Sequence, residues 1–133
     1  VLGAYQVWES LQGPLGNVET SRISRTKDGQ ALGGIWSRAV NSTGALLQRV
    51  GRLDEAGRLF TLALRLNPGN VAATVNAAVN AELRASRPLG GDLAKPLSGG
   101  VSQQLLNLYG PVDEPTFLRA YGQELLSATD RLP

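Results

Sequence analysis

The chain has no cysteine, no histidine and no methionine, and aromatic residues make up only 5% of it. Without cysteine there is no disulfide, no thiol nucleophile and no thiolate metal site. Without histidine the commonest metal ligand and the commonest general base are missing too. Most familiar catalytic constellations are thereby closed, and we expect no enzymatic activity, cofactor or metal. A cysteine-free domain is tolerated in reducing and oxidising environments alike, so the compartment stays open. No apolar run approaches the roughly 18 residues that would suggest a membrane span. Because methionine is absent even from the first position, we read the 133 residues as an excised or processed part of a longer protein. The formal net charge of +2 is too small to argue for a nucleic-acid partner, although arginine far outnumbers lysine and the pI is about 9.4. Acidic residues are spread along the chain, and the stretch from Asp113 onward is net acidic.

Leucine, alanine and valine supply most of the 42% hydrophobic content, and leucine and alanine favour helix. A chain of this length forms one domain that buries roughly two thirds of its unfolded surface. Residues 1–30 read as a short helix through Val1, Leu2, Tyr5, Trp8 and Leu11, stopped at Gly13-Pro14, followed by a polar connector. A short extended piece around Val18–Ile23 is compatible with that connector. Helical periodicity starts near Ala31 and runs through Val50 to a stop at Gly51. A second helix spans about Leu53–Leu66, with Asp54 and Glu55 at its positive end and Arg65 at its negative end. Pro68 disfavours helix at Asn67, and Asn70 is placed to cap a third helix of about Val71–Ser86. Residues 87–112 read as a Gly/Pro-rich insertion, longer than most connections, with a short helix at about Val101–Tyr109. Residues 113–133 hold a last helix, roughly Pro115–Ala128, with proline in its first turn.

Between Gly44 and Asn70, small residues at Gly44, Ala56 and Ala63 alternate with bulky ones at Leu47, Leu53 and Phe60, and Pro68 closes the unit. Ala78 repeats Gly44 at 78 − 44 = 34 residues, with Ala81 in the place of Leu47 and Ala85 in the place of Gly51. Gly122 follows at 122 − 78 = 44. In order and interval, residues 37–70 resemble one tetratricopeptide repeat, and 71–86 and 115–128 resemble the first helices of two more. The family's first-helix tryptophan, leucine and tyrosine are replaced here by Val40, Thr43 and Leu47. The resemblance implies an all-α fold of antiparallel helical hairpins, with an irregular N-terminal segment and a long insertion after the third repeat helix. It also implies a non-catalytic scaffold that binds a protein partner.

A weaker resemblance joins residues 51–57, 66–70 and 110–117. They are similar to repeat regions of bacterial multi-spanning glycosyltransferase-like membrane proteins. That would imply an extracytoplasmic accessory segment, periplasmic or tethered to a membrane enzyme and touching the membrane only indirectly. A small structural subunit of a larger complex is the third reading.

In the repeat family, successive first helices line a groove that receives an extended peptide or a helix. Carried over by position, its lining would be Arg38, Asn41, Ala45, Gln48 and Arg49, then Ala72, Val75, Val79, Glu82 and Leu83, then Thr116, Arg119, Gln123, Leu126 and Ser127. Asn76 resembles the asparagine that holds ligand backbone in several members. The basic residues of the carboxylate-clamp subgroup are not in place. The insertion itself could fill the groove. Arg38, Arg49, Arg52, Arg58 and Arg65 crowd the first hairpin and read chiefly as a solvated face. Asn41-Ser42-Thr43 fits a glycosylation acceptor but falls within a predicted helix. Asp113 and Glu114 read as helix-start charge.

Overall fold

The computed structural model describes residues 6, 26–90, 92–97 and 103–129. The expected N-terminal helix and most of its connector, the end of the chain and Val101-Ser102 lie outside these residues. Within them the chain is all-helical: α1 (Lys27–Arg49), α2 (Leu53–Leu66), α3 (Val71–Arg84), a 3-10 turn (Lys95–Leu97), α4 (Gln103–Tyr109) and α5 (Pro115–Thr129).

Helix α1 starts a turn before the periodicity suggests, so the connector assigned through residue 30 ends sooner. The cause is polar. Thr26 Oγ1 accepts from the Gly29 N–H at 2.9 Å, and Asp28 lies in the first turn, so the helix is capped before its apolar pattern begins. At its other end Gly51 has φ +82. The Gly51 N–H donates to Gln48 O at 3.0 Å and the Arg52 N–H to Leu47 O at 2.9 Å, which satisfies two terminal carbonyls.

The same closure ends α3, where Ser86 N–H reaches Leu83 O and Arg87 N–H reaches Glu82 O. Here the left-handed residue is Ser86, at φ 53. The counterpart of Gly51 is therefore Ser86, one residue beyond the expected Ala85, and α3 stops at Arg84 rather than Ser86. Asn70 caps α3 as expected, accepting from Ala73 N–H at 2.9 Å.

Helices α1 and α2 run in opposite directions. Ser37, early in α1, donates to Ala63 O late in α2 at 2.7 Å, while Gly44 lies beneath Phe60. A Cβ at Gly44 would stand 2.7 Å from Phe60 Cε1, so the glycine's helix cost of about 1 kcal/mol is offset by the ring that takes its space. Val40, Leu47, Ala56, Leu59, Phe60, Leu62, Ala63 and Ala73 form one buried cluster there.

Helix α3 packs on two sides. One meets α2, with Arg84 near its end paired to Asp54 near the start of α2. The other joins a second cluster built from Ala72, Val75, Val79, Leu97, Val112 and Phe117. Burial on both sides explains the alanine content of this helix, since small side chains let neighbours approach from two directions.

The Gly/Pro-rich stretch is less loop-like than its composition suggests. Leu89, Leu93 and Leu97 recur at intervals of four and pack into the second cluster, the last through the 3-10 turn. Gly122 meets nothing within 4 Å, so in the described residues it is not a site of close helix approach like Gly44. Ala78 is half-buried, and Pro68 is exposed just beyond α2.

Candidate functional site

Helices α1 and α3 lie side by side, and the space between them is lined with amides. Asn41, Gln48, Asn70, Asn76 and Asn80 are all buried, together with Ser37 and Glu114. A buried amide without partners costs about 1–3 kcal/mol, so the destination of each hydrogen bond is informative.

Most converge on one stretch, residues 109–114, which runs from the last residue of α4 to the start of α5. Asn41 Nδ2 donates to Tyr109 O and to Pro111 O, each at 3.0 Å. Asn76 Nδ2 donates to Pro111 O at 2.9 Å and to Asn41 Oδ1 at 2.8 Å, which links the two helices. Asn76 Oδ1 in turn accepts from the Asp113 N–H at 2.7 Å. Asn70 Nδ2 reaches Tyr109 O at 3.2 Å and Ser37 Oγ at 2.9 Å. These contacts read main-chain atoms, hence chain conformation more than side-chain identity.

Side chains of the stretch are held as well. Gln48 Nε2 donates to Asp113 Oδ2 at 3.0 Å and Arg49 Nε to Asp113 Oδ1 at 2.8 Å, so the carboxylate is gripped through both oxygens. Asn80 orients that grip from behind, donating to Gln48 Oε1 at 3.1 Å and to Leu53 O at 2.9 Å. Val112 is 1% exposed among Val75, Val79, Leu97 and Phe117.

At the entry to the stretch, Gly110 has φ +87. A Cβ there would fall 2.9 Å from Ser42 Oγ and 3.2 Å from Arg38 O. Only glycine fits both the conformation and the space. At the exit, Glu114 accepts from the Phe117 N–H at 2.6 Å and caps α5, whose first residue is Pro115.

The expected groove residues therefore divide. Asn41, Gln48, Arg49, Val75, Asn76 and Val79 meet around residues 109–114, and Ala45 and Ala72 are buried beside them. Arg38 contributes its carbonyl, which faces Gly110 and accepts from Ser42 Oγ, while its side chain is exposed. Glu82 is drawn away by Arg87 at 2.6 Å, and that hydrogen bond holds its carboxyl below the usual range. Thr116, Arg119, Gln123, Leu126 and Ser127 are exposed on α5, apart from the others. Asn41 cannot serve as a glycan acceptor here, because its amide is fully buried and hydrogen-bonded.

Asp113 does more than charge a helix start, since it anchors the held stretch. Ser37, Asn80, Gly110 and Val112 are members of the site that the sequence did not single out. One signal was available: amides at 41 and 48, then at 76 and 80, recur at helical spacing on otherwise apolar helices.

The arginines of the first hairpin are partly paired. Arg49 meets Asp113 and Arg52 meets Glu55 at 2.8 Å, and the Arg52 hydrogen bond holds the Glu55 carboxyl below its ordinary range. Among the described residues no group of three or more His, Cys, Asp or Glu could hold a metal ion, and no helix is long and apolar enough to cross a membrane.

Among the described residues, fold and site together define a helical arrangement that clamps a connecting segment of its own chain. Compared with protein-family models, curated proteins and solved structures, the chain matches none.

Proposed function

We propose that this chain is a non-catalytic, tetratricopeptide-like scaffold segment that mediates protein association as part of a longer chain or assembly. The observation that carries the reading is the set of buried side-chain amides, from Asn41, Asn70 and Asn76, spent on main-chain carbonyls of the segment between α4 and α5, from Tyr109 at the end of α4 to Pro111. Such chemistry holds a peptide and does not transform one. The antiparallel α1–α2 pair, with Gly44 beneath Phe60, and the placement of α3 beside α1 support the repeat-like arrangement.

A second reading, a structural subunit permanently packed in a larger complex, is favoured by one surface. Leu32, Ile35 and Leu46 of α1, with Val50 at its C-cap, are more than half exposed and recur on one side of the helix, opposite the side that carries Asn41 and Gln48. Exposed apolar stripes of this kind are characteristic of faces that meet other protein.

Affinity capture with three baits separates the two readings. The first is the unaltered chain, the second carries Asp113→Arg to loosen the held segment, and the third carries Leu46→Glu with Val50→Glu. A protein enriched on the Asp113→Arg bait supports association through the groove. One lost only from the third bait supports the packed subunit. If no bait retains a specific protein, the association role is wrong. Val79→Glu would be a poor control, because Val79 is 1% exposed in the second cluster and its loss would disrupt the fold itself.

A further inference from the structure

The groove between α1 and α3 is filled, and its occupant defines what it accepts. Four features of residues 110–113 are read separately. Gly110 passes close to the α1 backbone, where any side chain would collide. Pro111 presents a carbonyl to Asn41 and Asn76 and needs no N–H partner. Val112 enters the apolar pocket of Val75 and Val79. Asp113 is held by Gln48 and Arg49. A partner segment of the same pattern would meet every one of these groups.

Resting on the association role proposed above, we infer that the groove recognises a protein segment of the pattern Gly-Pro-apolar-Asp, and that residues 110–113 occupy it as an intramolecular ligand which a partner bearing that pattern displaces.

Two properties make the occupant exchangeable. When it leaves, water can satisfy the amides and the guanidinium it uncovers, and the apolar surface given up is that around Val112, whereas opening the Phe60 pocket would expose dry surface alone. The elements that tether the segment are also weakly held. Helix α4 has no fully buried residue, its Leu105, Leu106 and Tyr109 packing only partly buried on the second cluster, and the side chains described in α5 are mainly exposed beyond Phe117. Elements with few buried contacts open at low free energy. The tether gives the intramolecular copy an effective concentration on the order of millimolar, so a free segment competes poorly until the tethered one is weakened.

The Arg49–Asp113 pair allows a reciprocal test. The probe is a fluorescent peptide with the sequence of residues 108–117, made also with arginine in place of Asp113, and titrated by anisotropy against full-length chains. The Asp113→Arg chain should bind the unaltered peptide at least ten-fold more tightly than the unaltered chain does, and should reject the arginine peptide. The Arg49→Glu chain should show the opposite preference. The double variant, Arg49→Glu with Asp113→Arg, re-forms the pair internally and should bind both peptides weakly.

Absence of binding to either single variant with its helical circular dichroism intact would overturn the inference, as would equal binding of the two peptides. So would loss of helical signal in both single variants, since the segment would then be an irremovable part of the core. Failure here alongside a partner captured on the Asp113→Arg bait leaves the association role standing. Peptide exchange with no partner on any bait does the reverse.

Discussion

The two faces that α1 presents to the rest of the described structure are built from opposite chemistry. Toward α2 it offers Val40, Gly44 and Leu47, and the fit is one of shape, with Phe60 seated over a residue that has no side chain. Toward α3 and residues 109–114 it offers Ser37, Asn41 and Gln48, and the fit is one of paired donors and acceptors. The first interface gains from expelling water and depends on close packing. The second tolerates almost no shift, because a displaced amide leaves several buried partners unsatisfied. One helix can thus carry a stability-determining side and a selective side, separated by only about a fifth of a turn.

Removing Phe60 should separate the two faces most clearly. Phe60→Ala leaves a cavity over Gly44 and should cost about 3–5 kcal/mol, measured by chemical unfolding, with α1 and α2 losing protection together. An unchanged thermal midpoint would show that the α1–α2 face is not the principal source of stability.

Asn76→Ala attacks the polar face. It strands Asn41 Oδ1 and the Asp113 N–H, leaves Pro111 O with Asn41 alone, and should cost about 2–3 kcal/mol. Hydrogen exchange should show the amides of residues 113–117 opening well before those of α2. Simultaneous opening would mean that the faces unfold as one unit.

Ser86→Gly should act in the other direction. Ser86 holds φ 53 in the closure where Gly51 serves α1, so relieving that conformation should stabilise the chain by about 0.5–1 kcal/mol. A measured destabilisation would indicate that the serine side chain contributes a contact there.

The smallest effect concerns pH. Glu55 and Glu82 are held below their ordinary range by hydrogen bonds from Arg52 and Arg87. In the ordinary carboxylate range the unfolded chain therefore binds more protons than the folded one. Their stabilising contribution is complete above that range and is lost as pH falls through their depressed folded values. Both side chains stay partly open to solvent, at 27% for Glu55 and 25% for Glu82, so the slope of unfolding free energy against pH should be shallow, and Arg87→Gln should reduce it further.

Parts of this organisation were visible in the residues alone, and each for a local reason. The stop at Gly51 and the Asn70 cap follow from spacing and backbone preference within a few turns of chain. The onset of α1 was misplaced because its signal is Thr26 and Asp28, which are polar and lie before the apolar pattern. The insertion looked like a linker because its glycines and prolines dominate the composition, while Leu89, Leu93 and Leu97 do the packing.

Helical content, the antiparallel α1–α2 pair and the amide-bearing sides of α1 and α3 were decided by sequence itself, since periodicity places residues on a face whatever the face later meets. What those amides meet was decided only by the tertiary structure. Asn41 and Pro111 are 70 residues apart, and Gln48 and Asp113 are 65 apart. No local pattern connects them. A hydrogen bond between such residues exists only after the intervening chain has folded and returned, because its energy depends on a few tenths of an ångström that spacing along the sequence does not set.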